Sequence, residues 1–212
     1  LIEKITVDST ASTKQKKQEG NYFDSFIGLD FNYDKRNQKF QTTSGFYSFY
    51  AIDIPVLSET NTLNNFYNYK VYKELFENNV STISLLFQST NSLSGDDVKL
   101  SERLYIPGNK LRGFERGKVG PKDQSDYIGG NYITTINATT TIPKLLEDVQ
   151  NVDLVMFADA GNIWGVDYDS SLDDDKIRSS IGVAVDWFTP VGPFTFSLAH
   201  PLSKSSNDIT ES

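Results

Sequence analysis

The sequence predicts an all-β protein, an antiparallel transmembrane β-barrel that is present here as a partial barrel of about eight strands. Apolar and polar residues alternate with a period of two in most segments, as expected for strands with one apolar face. Tyr and Phe, with 11 and 14 copies, bring the aromatic content to 13%, and both residues favour strands and membrane interfaces. No apolar run reaches the roughly 18 residues that would predict a transmembrane helix.

The alternation defines the strands in chain order. Residues 1–20 are polar and indicate the end of one strand followed by a solvated loop. From Tyr22 to Tyr33, apolar residues alternate with Asp, Gly and Asn, which predicts the first complete strand. Seven further strands are predicted at about 39–55, 61–75, 83–88, Tyr127–Pro143, 152–164, 177–187 and from 194 onwards.

The two faces of these strands differ in composition. One is apolar, and the other consists of Asn, Thr, Ser, Asp and Gly. A soluble β-sandwich that buries its apolar face would show the same alternation, so a sandwich binding module is an alternative. A lipid-facing barrel wall also explains the strand lengths and the aromatic residues at strand ends, such as Tyr33, Tyr127, Trp164 and Trp187.

Composition disfavours several classes of function. The net charge of −8 disfavours nucleic acid as a partner, because phosphate binding needs a basic face. The chain has no cysteine, and His200 is its one histidine, so the usual Cys and His zinc sites cannot form. The acidic run 167–173 lacks the glycine and the closing glutamate of a calcium loop. We therefore expect no catalytic set and no cofactor, and hence no enzyme.

The connection 91–126 is far longer than an ordinary hairpin loop, and such loops are usually functional or disordered. It contains the string Asn109–Gly117, in which arginine, glycine and an aromatic residue are adjacent. Gly120-Pro121 and the triplet 129–131 follow it. A loop that folds back and docks an arginine on a preformed wall would use this combination.

The tetrapeptide Leu111–Phe114 resembles the Val-Arg-Gly-Phe loop motif of the BamA family of outer-membrane β-barrel assembly factors, with Leu in place of Val. Other segments resemble family motifs in the same order along the chain: Tyr33–Asn37, Thr43–Gly45, Gly120-Pro121, Gly129–Asn131, Phe157–Gly161 and Trp187–Phe194. The resemblance covers about residues 20–202. It implies that residues 1–212 are the C-terminal part of a BamA-type barrel domain without its last strand, and that 91–126 is its inward-folding loop.

The resemblance also implies a set of site residues. Arg112 would fold into the lumen and pair with Asp159, which the alternation independently places on the inner face. Gly113 would let the backbone approach the wall, and Phe114 would pack beside the arginine. A second acid that is usual in the family is replaced by Thr139, which offers a neutral oxygen. Leu111 belongs to the same loop motif, and the implied structural positions are Gly129, Gly130, Asn131, Gly161, Gly192 and Pro193.

The function implied by the resemblance is that of a fragment of an assembly factor which folds and inserts β-barrel proteins into the bacterial outer membrane. Its partners would be the lipid bilayer, unfolded β-barrel precursors and, through missing periplasmic domains, the lipoproteins of the assembly machine. A translocation barrel of the two-partner-secretion type, which shares the Arg-Gly-aromatic loop, is one alternative. A passive porin is another, although the rings of opposed charge expected of a porin do not stand out.

Overall fold

The computed structural model describes residues 2–142 and 151–211. The strands are β1 (Ile2–Ile5), β2 (Gly20–Asp34), β3 (Gly45–Ser58), β4 (Thr62–Glu74), β5 (Val80–Ser92), β6 (Lys122–Asp123), β7 (Asp126–Tyr127), β8 (Tyr132–Thr141), β9 (Val152–Trp164), β10 (Arg178–Thr189) and β11 (Gly192–Ser203). The one α-helix in this part of the chain is α1 (Thr13–Lys16), and single 3₁₀ turns lie at Leu100–Glu102, Gly108–Lys110 and Ser170–Leu172. None of these helices is long and apolar enough to cross a membrane.

Nine strands form one antiparallel sheet in the order β1-β2-β3-β4-β5-β8-β9-β10-β11, while β6 and β7 form a separate two-stranded hairpin. Each strand of the large sheet pairs with the next one along the chain, so the sheet is a meander whose edges are β1 and β11. The predicted all-β, partial-barrel fold is confirmed. The extra strand is β1, within the segment that was predicted as a strand end.

The predicted bounds are closest for β9, which has the predicted limits at both ends. In contrast, β3 begins at Gly45 rather than near residue 39, because residues 35–44 form a turn in which the Asn37 N–H donates to the Ser44 carbonyl at 3.0 Å. A Cβ at Gly45 would lie 2.1 Å from the Lys35 carbonyl oxygen, so only glycine fits there.

The strand predicted from Tyr127 to Pro143 also differs at its start. β8 begins at Tyr132, because Tyr127 pairs with Lys122 in the β6–β7 hairpin inside the preceding loop. Pro143 lies outside the described residues. The loop between β5 and β8 therefore spans residues 93–131, somewhat further along the chain than predicted, and is called the long loop below.

The two faces of the large sheet have opposite character. Large apolar side chains on the outer face are exposed: Ile27, Leu29, Phe31, Ile83, Ile136, Met156, Ile181, Val183, Phe196 and Leu198. The inner face carries buried polar residues, which include Thr135, Asn137, Asp159, Arg178 and Ser180. In the described part of the chain the only other sheet is the small β6–β7 hairpin, which cannot cover such a face as a second layer of a sandwich would.

The sheet curls around its inner face. Phe40, in the turn after β2, contacts Phe188 of β10 with ring centroids 5.4 Å apart and nearly perpendicular rings. These strands are separated by five others in the sheet order, so the contact spans the inner face. This curvature is the one that a barrel wall requires.

Some inner-face residues depart from the polar pattern, among them Leu86, Val155 and Phe157. Ile133 of β8 and Ile163 of β9 also do so, and both are fully buried. They are buried because the long loop packs on them. Together with four loop residues they form the main apolar cluster: Ile106, Leu111, Phe114, Val119, Ile133 and Ile163. The larger apolar cluster of the described residues thus lies between the long loop and the inner face of β8 and β9, and a smaller one is formed by Val155, Phe157 and Ala184.

Candidate functional site

The centre of the site is an ion pair between the long loop and β9. The Arg112 guanidinium donates from Nε to Asp159 Oδ2 and from Nη2 to Asp159 Oδ1, both at 2.7 Å. The Arg112 backbone N–H also donates to Asp159 Oδ2 at 3.1 Å. The arginine side chain is 15% exposed and that of Asp159 is 0% exposed. Two parallel charge-assisted bonds fix the guanidinium plane as well as its position.

A neighbouring strand completes the surroundings of the carboxylate. Asn137 of β8 lies directly opposite Asp159 in the register, and its Nδ2 donates to Asp159 Oδ1 at 2.9 Å and to the Lys110 carbonyl at 2.8 Å. Asp159 therefore accepts four hydrogen bonds, three from Arg112 and one from Asn137. An ionised carboxylate has about four acceptor positions, so this one is saturated.

The structure corrects two sequence-based assignments at this centre. Thr139, which was predicted to offer Arg112 a neutral oxygen, lies opposite Phe157 and lines the same cavity as Arg112. Within the described residues, the neutral side chain hydrogen-bonded to the pair is instead that of Asn137. The aromatic ring next to the arginine belongs to Phe157, whose centroid is 3.4 Å from Arg112 Cζ. Phe114 points away into the apolar cluster and is 2% exposed. Residues 112 and 114 would share a face if the backbone were extended, but Gly113 between them has a φ of +84°, so the chain turns there and the two side chains separate.

Gly113 lies where the loop backbone passes close to β11, as predicted. Its φ is +84°, and an added Cβ would lie 2.9 Å from the Ala199 side chain. Two positions earlier, Leu111 is 1% exposed in the apolar cluster. Consecutive loop residues therefore contact three places: the apolar cluster through Leu111, Asp159 through Arg112, and β11 through Gly113.

Two of the predicted structural positions, Gly129 and Gly130, lie at close backbone contacts. Added Cβ atoms would lie 2.4 Å from the Leu104 carbonyl oxygen at Gly129 and 2.5 Å from the Trp164 carbonyl oxygen at Gly130. The Asn131 side chain donates to Asp167 at 3.0 Å. The remaining three positions lie in the sheet: Gly161 opposite Thr135 in β9, and Gly192 and Pro193 at the start of β11 opposite Thr189 and Phe188.

Lys110 connects the long loop to a third strand. Its Nζ donates to the Ser84 hydroxyl of β5 at 3.0 Å. Burial lowers the pKa of this loop lysine to about 8, and the positive charges of Lys70 and Arg112 act in the same direction while Asp159 opposes them. The site is thus rich in positive charge around a single carboxylate.

Three further ion pairs around the long loop were not predicted from the sequence. Lys99 pairs with Asp24 of β2, and Arg103 pairs with Asp167 in the loop after β9. Arg178 of β10 pairs with Asp208 in the segment after β11. The cationic side chain of each pair is at most 2% exposed. Of these residues, Arg178 was the easiest to suspect from the sequence, because the alternation places its charge on the inner face of a strand. Nothing in the sequence identified its partner.

Gly120 gives a test of how tightly the loop packs on β9. An added Cβ at Gly120 would lie 2.4 Å from Cγ2 of Ile163, which is fully buried and β-branched, so it cannot turn away easily. Gly117 has a similar positive φ of +74° but no heavy atom within 4 Å of its added Cβ. We expect Gly120→Ala to lower the thermal midpoint of the detergent-solubilised protein clearly more than Gly117→Ala. Equal shifts would show that the loop does not pack on Ile163.

This arrangement defines a class of protein: a curled antiparallel sheet, apolar outside, whose long loop docks an Arg-Gly-Phe motif on its inner face. The model of the Omp85 superfamily domain matches residues 3–212, and the chain belongs to that superfamily. In a search of solved structures, it resembles the crystal structure of BamA from Haemophilus ducreyi lacking POTRA domains 1–3. The TM-score is 0.82 at 25% sequence identity, covering 90% of this chain and 41% of that one.

Curated relatives give the same result. The chain is 31% identical over 141 residues to the outer membrane protein assembly factor BamA of Neisseria meningitidis, covering 53% of this chain and 18% of the relative. It is 26% identical over 207 residues to BamA of Nitratidesulfovibrio vulgaris, covering 93% of this chain and 25% of the relative. The chain thus spans a quarter or less of the length of these relatives. The predicted resemblance to the BamA family is confirmed.

Proposed function

We propose that the protein which carries this chain folds β-barrel proteins and inserts them into the bacterial outer membrane, where it resides itself. The observation that carries the proposal is the docked Arg-Gly-Phe motif, with Arg112 held by both oxygens of Asp159. The relatives in which similar chains occur carry the name of outer membrane protein assembly factor. We propose no enzymatic step: the work would be strand pairing at a sheet edge within the bilayer.

The partners in this proposal are the lipid bilayer, unfolded β-barrel precursors and lipoproteins of the assembly machine. The exposed apolar outer face supports the first, because side chains such as Leu29, Phe196 and Leu198 would meet lipid. The lipoproteins would bind periplasmic domains outside residues 1–212, as the family resemblance implies. Co-purification of lipoproteins with the whole protein from detergent extracts tests that part separately.

The site favours an assembly factor over a passive porin. In a porin the inner face borders an open water channel, whereas here the long loop covers Ile133 and Ile163 completely. Its ion pairs to β2 and β9 fix the loop to widely separated strands of the inner face. A loop held in this way would obstruct steady diffusion of solutes.

Depletion in the cell that encodes the protein tests the proposal. The gene is placed under a repressible promoter, and folded outer-membrane β-barrel proteins are counted by their heat-dependent migration on gels. We expect these proteins to decline together and an inner-membrane helical protein to stay constant. Normal barrel assembly with loss of one secreted protein would instead assign a two-partner-secretion barrel, and loss of small-solute uptake alone would assign a porin.

A further inference from the structure

The segment after β11, residues 204–211, lies along the long loop and is called the exit segment below. The Glu115 N–H donates to the Ile209 carbonyl, the Ile209 N–H donates to the Lys118 carbonyl, and the Glu211 N–H donates to the Gly113 carbonyl, each at 3.0 Å. Phe114 and Thr210 form an antiparallel bridge. The exit segment is therefore bonded to the same short stretch of loop that holds the Arg-Gly-Phe motif.

A buried ion pair anchors this segment to the sheet. Arg178 donates from Nε to Asp208 Oδ2 at 3.0 Å and from Nη2 to Asp208 Oδ1 at 3.3 Å. Both side chains are 0% exposed. Arg178 also bonds to Asp174 at 3.1 Å, to the Lys176 carbonyl at 2.8 Å and to the Asn162 side chain.

Asp208 joins three parts of the molecule. Besides Arg178 of β10, its carboxylate accepts the backbone N–H of Gly120 in the long loop at 3.1 Å and that of Ser205 in the exit segment at 2.6 Å. Because the carboxylate is buried, its removal would leave the Arg178 charge with only the partly exposed Asp174 as a carboxylate partner. Breaking a buried pair from one side is strongly destabilising.

We propose that the Arg178–Asp208 pair couples the position of the Arg112 loop to the end of β11. The exit segment leaves directly from β11 and is bonded to the loop on both sides of Phe114. Displacement of the exit segment therefore releases the loop from one side, and release of the loop frees the exit segment. Coupling between two sites is reciprocal, so both directions are open to test.

The coupling does not rest on the proposed function, because it is measured as loop position in detergent-solubilised protein. The chain contains no cysteine, so single reporter cysteines can be placed at Leu111 and Val119, which are 1% and 6% exposed. We expect Asp208→Asn to speed maleimide labelling at both positions by about 5- to 150-fold, the usual range of coupling. The control Asp175→Asn, at an exposed acid of the loop after β9, should leave both rates unchanged.

The reciprocal measurement keeps the proposal testable if Asp208→Asn fails to fold. A reporter cysteine at Thr210, in the exit segment, should label faster by a similar factor in the Arg112→Ala background than in the Arg116→Ala background. Faster labelling at Val119 alone, with Leu111 still protected, would overturn the proposal and leave Asp208 with a purely local role. So would a Thr210 rate that Arg112→Ala does not change.

Discussion

Arg112→Ala is expected to destabilise the docked loop by about 3–5 kcal/mol, the usual effect of removing one partner from a buried ion pair. Asp159 would keep only the hydrogen bond from Asn137 and the one from the backbone at position 112, while its side chain stays fully buried. An unpaired carboxylate in that place is unfavourable because burial disfavours the charged form. The measurement is the temperature at which the detergent-solubilised protein loses its compact form on gels.

Arg116→Ala is the matched control, since Arg116 belongs to the same loop, is exposed and forms no ion pair within the described residues. We expect its midpoint to equal that of the parent protein. In cells that depend on the protein, Arg112→Ala should also slow the assembly of β-barrel proteins, whereas Arg116→Ala should not. Unchanged gel migration and unchanged complementation by Arg112→Ala would show that the ion pair does not hold the loop.

Phe114→Ala is expected to have a comparable effect on stability, about 3–5 kcal/mol, through a different cause. Phe114 is 2% exposed and packs with the loop and inner-face residues of the main apolar cluster. Truncation leaves a cavity between the long loop and the sheet, and the surrounding β-branched residues Val119, Ile133 and Ile163 can fill it only partly. A thermal midpoint of the detergent-solubilised protein measures the loss.

Phe76→Ala is the control for the loss of a phenyl ring itself. Phe76 lies in the turn between β4 and β5 and is 60% exposed, so its removal should change the midpoint little. Phe114→Leu should fall between the two because it keeps most of the buried volume. Equal midpoints for Phe114→Ala and Phe76→Ala would contradict a loop packed on the inner face.

The fold could be predicted from the sequence because the side-chain alternation is a local property. Strand β9 was predicted at both ends, since small or apolar residues recur at every second position from Val152 to Ala160. The start of β8 was predicted five residues early, at Tyr127 instead of Tyr132, because Tyr127 belongs to a short hairpin inside the long loop. Which strand a segment pairs with is a tertiary property that alternation does not contain.

The site could be predicted only in part. Arg112, Gly113 and Asp159 were identified from the motif and from the inner-face position, and the structure brings them together. The prediction that Phe114 packs beside Arg112 was wrong. The ring that contacts the guanidinium belongs to Phe157, which is distant in the sequence. Thr139 was predicted as the neutral group at the ion pair, whereas the residue opposite Asp159 and hydrogen-bonded to it is Asn137.

The ion pair between Arg178 and Asp208 could not be predicted from the sequence, for a physical reason. Its partner Asp208 lies 30 residues further along the chain, in a polar stretch that looks like any solvated loop. The Asp208 carboxylate is buried only because this stretch packs against the long loop in the folded protein. Long-range ion pairs of this kind follow from the fold and leave no periodic signal in the sequence.

The most direct test of the docked loop is a double-mutant cycle between Arg112 and Asp159, measured by the thermal midpoint of the detergent-solubilised protein. Arg112→Ala, Asp159→Asn and the double variant are compared with the parent protein. If the two side chains pair as described, the double variant will be about as stable as the less stable single variant, so the effects will not add. Additive losses would show that Arg112 and Asp159 act independently and would contradict the docked position of the long loop.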